Sequence, residues 1–202
     1  MKLIKQIPED EMIAEFLRAE IDSTRFGKWI ISALEKKKKS KTIVRNPNIK
    51  NRSENLFRKE LLGEIRGFGK NKDYFEDFPN DFKWYKAVIQ KQELKKVKYI
   101  NYGYWNKLSN ETRLPSRAVK NIKSGIKAFG VSNKLYFEIL SEVETGRKIP
   151  PMIFIAKNKK SRIVVLEGHA RLTAYFLNGK NIPKSMEIIM GYSEKLAKWS
   201  LY

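Results

Sequence analysis

Apolar positions recur at helical spacing through most of the chain, and compact β-branched runs dominate only its last third. Pro8-Glu9-Asp10-Glu11 suits a first helical turn, and Met12, Ile13, Phe16 and Leu17 follow as one apolar face. Asp22-Ser23 reads as the N-cap of a second helix through Phe26, Trp29, Ile30, Ala33 and Leu34, completing a helical hairpin. Residues 42–55 are polar, with a turn at Asn46-Pro47-Asn48. Leu56, Phe57, Leu61, Leu62 and Ile65 form the next helical stripe, broken at Gly67-Phe68-Gly69-Lys70. An aromatic cluster from Tyr74 to Tyr85 follows, and Asn80 is placed to cap a helix running to about Glu93. Those rings either pack the helices together or stack on nucleobases.

Lys96–Asn101 alternates polar and apolar residues, which predicts a strand with one wet face. Ser116 caps a helix through Val119, Ile122, Ile126 and Phe129, ended by Gly130, and a further helix spans about Asn133 to Glu144. Met152–Ala156 and Arg162–Leu166 read as two strands joined by the polar turn Lys157–Ser161. Leu172, Tyr175 and Phe176 return to helical spacing, with Gly179 as the stop. A last strand covers Ser185–Met190, and Ser193 caps a final helix carrying Leu196, Trp199 and Leu201. These elements predict an α/β (α+β) fold: residues 95–202 as a small mixed-sheet domain and residues 1–94 as a basic, mainly helical extension.

Charge changes the picture. Lys and Arg number 42 against 22 Asp and Glu, a formal net charge of +20. Such an excess attracts polyanions, and nucleic acid is the partner it suggests; the alternative is charge scattered over a solvated surface. Lys36-Lys37-Lys38-Lys39-Ser40-Lys41 is the densest cationic run, either a nucleic-acid contact or a solvated helix end. The absence of cysteine excludes disulfides, thiolate metal sites and cysteine nucleophiles, and a single histidine excludes a histidine-rich metal centre. No apolar run nears the roughly 20 residues that span a bilayer, and the N-terminus lacks signal-peptide form, so the expectation is a cytoplasmic protein with no membrane partner.

Candidate chemistry converges on Glu167-Gly168-His169-Ala170-Arg171, where a buried strand turns into a helix. The first backbone N–H groups of a helix have no intrahelical partner and carry partial positive charge, a seat for phosphate or carboxylate. Gly168 lets a ligand approach the backbone. Arg171 offers a bidentate fork for phosphate, or pairs with Glu167 within the turn. His169 is either a general acid/base or phosphate contact, or a structural brace. Glu167 is a candidate base or Mg²⁺ contact, or a cap. Thr173 is a further phosphate-binding candidate in the same helix. Arg113, just after the expected first strand, is a candidate second arm.

The order "PPMIFIA", turn, "RIVVLEGHARLTAYFLNG", "PKSMEIIMG" resembles the ParB/sulfiredoxin-like superfamily over roughly residues 95–192, with its sharpest match at "LEGHARLTAY". The resemblance implies a small α/β core that binds nucleotide phosphates at this turn. It implies NTP with Mg²⁺ as cofactor, with Gly168 and Arg171 as phosphate contacts and Glu167 at the acidic position. His169 matches the first histidine of the "GHHR" form of a kinase-like branch, and Ala170 stands where that form has its second. The sulfiredoxin activity needs a cysteine in this turn and is excluded. The partition proteins of the family carry a helix-turn-helix after this domain; with about ten residues following the last expected strand, that module is not expected here. Two functions follow as expectations. One is a nucleotide-binding domain, acting as a switch or as a phosphotransferase or NTP/nucleic-acid hydrolase. The other is a basic DNA-binding accessory protein without catalysis.

Overall fold

The computed structural model describes residues 1–146 and 149–202. Its strands are β1 (Lys2–Ile7), β2 (Lys83–Gln90), β3 (Met152–Ala156), β4 (Val164–Glu167) and β5 (Ser185–Tyr192). They form one mixed sheet in the order β1-β2-β5-β3-β4. Only the β3–β5 pair is parallel. The helices on one side are α1 (Glu9–Glu20), α2 (Gly27–Lys36), α3 (Thr42–Arg45) and α4 (Arg52–Arg66). On the other side lie α5 (Lys91–Leu94), α6 (Gly103–Leu108), α7 (Pro115–Lys123), α8 (Lys134–Glu144) and α9 (His169–Leu177). The result is a mixed α/β fold with helices on both faces of the sheet.

The alternation of side chains along each strand divides the core. Ile153, Ile155, Val164, Leu166 and Ile189 pack with Phe16, Leu17, Ile30, Leu34, Leu61 and Leu62. Met152, Phe154, Val165, Ile188 and Met190 face the other way, onto Val119, Ile122, Leu172 and Phe176. Every residue of β3 is therefore buried, which explains why "MIFIA" is apolar without alternation. Each such side chain contributes roughly 1.5–3 kcal/mol of burial. The aromatic cluster is interior packing: Phe75 meets Phe16, Phe68, Tyr74 and Phe78, and Phe78 stacks on Phe82, which stacks on Trp84.

Three expectations are corrected. The segment expected to be a helix from Asn80 to Glu93 is strand β2, paired residue for residue with β5 from Lys83↔Tyr192 to Gln90↔Ser185. Phe82, Tyr85 and Ile89 mimic helical spacing, but the β-branched and aromatic content suits a pleated, two-sided environment. The N-terminal residues before Pro8, given no element, form the edge strand β1 against β2. Lys96–Asn101 makes a single parallel bridge, Lys98↔Val164, instead of a strand; the Tyr99 N–H turns away to the Arg113 carbonyl at 2.8 Å. Strands from residues 1–94 thus pair in the same sheet as strands from residues 95–202. Among the described residues no helix is long and apolar enough to cross a membrane.

Candidate functional site

Strand β4 ends at Glu167 and helix α9 begins at His169. Between them Gly168 has φ +102°, and a Cβ there would lie 2.7 Å from the Met152 Cγ and 3.2 Å from an Arg171 Nη. Only glycine combines that backbone with that space. The turn sits at the end of an outer strand of the sheet, where the two helical layers meet.

Arg171 is directed into the protein. One Nη pairs with the Glu167 carboxylate four residues back, and the other donates to the Pro150 carbonyl and, at 3.4 Å, to that of Pro151. The residue is 8% exposed. Its fork ties the turn to the start of β3, so of the two roles open to it in sequence, pairing with Glu167 is the one adopted. Thr173 is fully buried. Its hydroxyl donates to the His169 carbonyl at 2.8 Å, and the Tyr99 hydroxyl lies 2.6 Å from it, so it braces the helix and offers nothing to a phosphate. Arg113 does not become a second arm. Its Nε donates to the Tyr99 carbonyl at 2.8 Å, and its Nη groups reach the Tyr202 and Leu201 main-chain oxygens at 2.9 and 3.4 Å. Burial first, then the Arg162 charge, lowers its pKa to about 10.

His169 lies against a ring stack, 5.0 Å from Trp105 at an interplanar angle of 16°, with Tyr99 beyond it. Its Nε2 is buried and has no hydrogen-bond partner among the described residues. Burial first, then the charges of Arg66, Arg171 and Arg25, drives the imidazole pKa down to about 3. The ring is neutral at physiological pH. A general acid/base titrating near neutrality, which an ordinary histidine would provide, is therefore not what His169 is in this state.

Those causes identify two residues that sequence reasoning missed, Arg25 in the loop after α1 and Arg66 at the end of α4, and Arg66 brings a third, Glu20 at the end of α1. The Arg66 guanidinium rests 4.1 Å from the Phe26 ring and 4.4 Å from the Tyr74 ring. One Nη is 3.6 Å from a Glu20 carboxylate oxygen. Glu20 is 7% exposed, and burial, opposed by Arg66 and reinforced by Glu167, pushes its carboxyl up to about 7. The Tyr74 hydroxyl donates to the Leu166 carbonyl at 2.6 Å, fastening this layer to β4. A signal was present: Glu20 and Arg66 continue the buried stripes of their helices, after Phe16 and Leu62, at a spacing of four.

Arg66 and Arg171 thus pair with two carboxylates, one of them half-protonated near neutral pH, and the exposed Arg25, its guanidinium 4.9 Å from the Phe26 ring, adds a third positive charge. The balance is positive. Three buried polar atoms in this cluster, the His169 Nε2, a Glu20 oxygen and the Arg66 Nε, lack partners among the described residues, and native interiors rarely leave such atoms unmet. The arrangement suits an anion. It offers a divalent cation no protein cage, since among the described residues no three His, Asp or Glu gather. An Mg²⁺ ion here would arrive on ligand phosphates. Comparison of the chain with protein-family models, with curated proteins and with solved structures finds no match.

Proposed function

We propose that this chain binds a phosphate group of a nucleotide or nucleic acid at the Glu167–Arg171 turn, in a core of the ParB/sulfiredoxin-like kind, with Arg66 and Arg25 as the anion-binding arms. The observation carrying this reading is the positive cluster of three guanidiniums around buried, unpartnered polar atoms. Arg171 and Glu167 act as positioning residues that hold the turn. The Gly168 turn presents the start of α9, and the neutral His169 ring is a hydrogen-bonding contact. Arg66 already lies against two rings and is ordered before a ligand arrives, which lowers the entropic cost of binding. Of the groups in this cluster with a shifted pKa, Glu20 is the one that titrates near pH 7. Phosphotransfer or hydrolysis at this site would draw on the protonated carboxyl as proton donor, in place of His169. Mg²⁺, carried by an NTP, would neutralise phosphate charge.

Thermal unfolding with ATP, CTP and pyrophosphate, each with and without Mg²⁺, tests this. A ligand at about 100 times its Kd stabilises by about 2.7 kcal/mol, which for a chain of this size raises Tm by about 5–10 °C. Arg66→Ala is expected to abolish the shift. No shift with any phosphate compound would refute the reading.

A further inference from the structure

The cationic run and the turn site, separate in sequence, are joined through α2. The Arg66 guanidinium of the cluster lies on the Phe26 ring, and Phe26 meets Trp29 edge-on at 5.9 Å. Trp29 is 62% exposed, unusual for the largest apolar side chain. It lines a shallow depression with Ser32, Ala33 and Lys36 of the same helix, Lys37 just after it and Glu64 of α4. Trp29, Ser32, Ala33 and Lys36 are spaced three, four and seven residues apart, so they share one helix face over about 10 Å. Lys37 and Lys39 gather over the Phe57 ring beyond it, each 5.8 Å from its centroid.

Lys37 is already paired with Glu64 at 2.6 Å; a free mononucleotide would use the guanidinium cluster alone and leave the exposed indole, Lys36 and Lys39 idle. Bases stack on exposed aromatic rings whatever their identity, while cations follow the backbone. Resting on the phosphate-binding reading above, we infer that the ligand is a single-stranded nucleic acid. One phosphate sits at Arg66 and Arg25, a neighbouring base stacks on Trp29, and the backbone continues towards Lys36. Ten ångströms of helix face matches about three bases at the ~3.4 Å rise of a stacked strand. A duplex has its bases stacked inside and has none to give to Trp29.

The test compares three probes on the full chain by fluorescence anisotropy: a thymidine oligonucleotide of about eight residues, the same length as abasic deoxyribose phosphate, and the corresponding duplex. The abasic strand carries the same charge without bases, so general attraction to a basic protein cancels. The oligonucleotide is expected to bind at least about tenfold tighter than the abasic strand, the scale of one stacked base, and tighter than the duplex. Trp29→Ala should remove that ratio and Trp29→Phe restore part of it. Being exposed, Trp29 can be replaced without unfolding the chain, which circular dichroism checks. A uridine strand run alongside distinguishes DNA from RNA as the source. Equal binding of abasic and ordinary strands, or a ratio insensitive to Trp29→Ala, overturns the inference. The phosphate reading then stands if Arg66→Ala still weakens both strands. Binding of all strands that is indifferent to Arg66→Ala, or no binding, overturns both.

Discussion

Glu20→Gln tests the electrostatics of the buried cluster. The Glu20 carboxyl moves from an ordinary 4.5 to about 7 in the folded chain, because loss of water outweighs the attraction of Arg66 and because Glu167 adds repulsion. Between those pH values the folded state holds a proton that the unfolded state has released, so stability falls as pH rises through the window. At ~1.4 kcal/mol per pH unit the loss is about 3 kcal/mol in all, most of it between pH 5 and pH 8. His169 acts in the opposite sense. Its pKa drops from 6.5 to about 3 on folding, so it removes stability as pH falls from about 6.5 towards 3. The two slopes oppose each other between about 4.5 and 6.5, and the wild-type profile alone would hide both. Glutamine keeps the shape without the charge and removes one slope. Urea unfolding of both proteins from pH 5 to pH 8 should therefore show the variant gaining about 2–3 kcal/mol relative to wild type as pH rises. A difference that stays constant within about 0.5 kcal/mol, or that shrinks with rising pH, would refute the reasoning. It would mean that the Arg66 pairing outweighs burial and keeps Glu20 charged.

Other outcomes follow from the same geometry. Gly168→Ala adds a methyl group 2.7 Å from the Met152 Cγ at a φ of +102°, and should cost about 2–4 kcal/mol in thermal unfolding; a cost under about 0.5 kcal/mol would disprove the steric account. Arg171→Met strands Glu167 and two proline carbonyls and should cost about 3–5 kcal/mol, part of which returns on adding Glu167→Leu, as a double-mutant cycle measures. In an NMR titration the His169 imidazole should stay neutral down to about pH 4. Pyrophosphate should raise its pKa by offsetting the charges of Arg66, Arg171 and Arg25; a midpoint near 6.5 without ligand would show that the ring is solvated.

Much of the fold was legible because local pattern and tertiary role agree. The α1 stripe, the β3–β4 hairpin, the Gly168 turn and β5 all announce themselves in short windows. Where the pattern misled, a neighbour distant in sequence decided the structure. β2 is a strand because β5, about a hundred residues later, supplies eight partners, and β1 is a strand because β2 is there for it to join. Lys96–Asn101 alternates like a strand, but only Lys98 reaches β4 and Tyr99 turns to Arg113. Val97 and Tyr99 are buried in one half of the core and Ile100 in the other, so burial sets this pattern without a ladder.

The same division governs the site. Sequence pointed to Arg171 as the phosphate fork because it stands beside the turn, and that proximity is what removes it from the role. An arginine four residues after a glutamate, across a buried turn, meets that carboxylate with little loss of chain entropy, and here it has two backbone carbonyls to satisfy as well. A cation with both Nη groups engaged inside the protein is a brace. The donors left for an anion must come from farther along the chain. In the proposed site they come from Arg66, on the helical layer packed against the sheet face opposite α9, and from Arg25 beside Phe26. Burying Arg66 beside Glu20 would be costly for either alone, and their 3.6 Å separation compensates each only in part. The raised Glu20 pKa expresses that remaining deficit. An anion that accepts hydrogen bonds from Arg66 and His169 would relieve the guanidinium side of the imbalance. It would also favour protonated Glu20 and raise that carboxyl further above 7, so phosphate binding should weaken as pH rises from about 6 to 8.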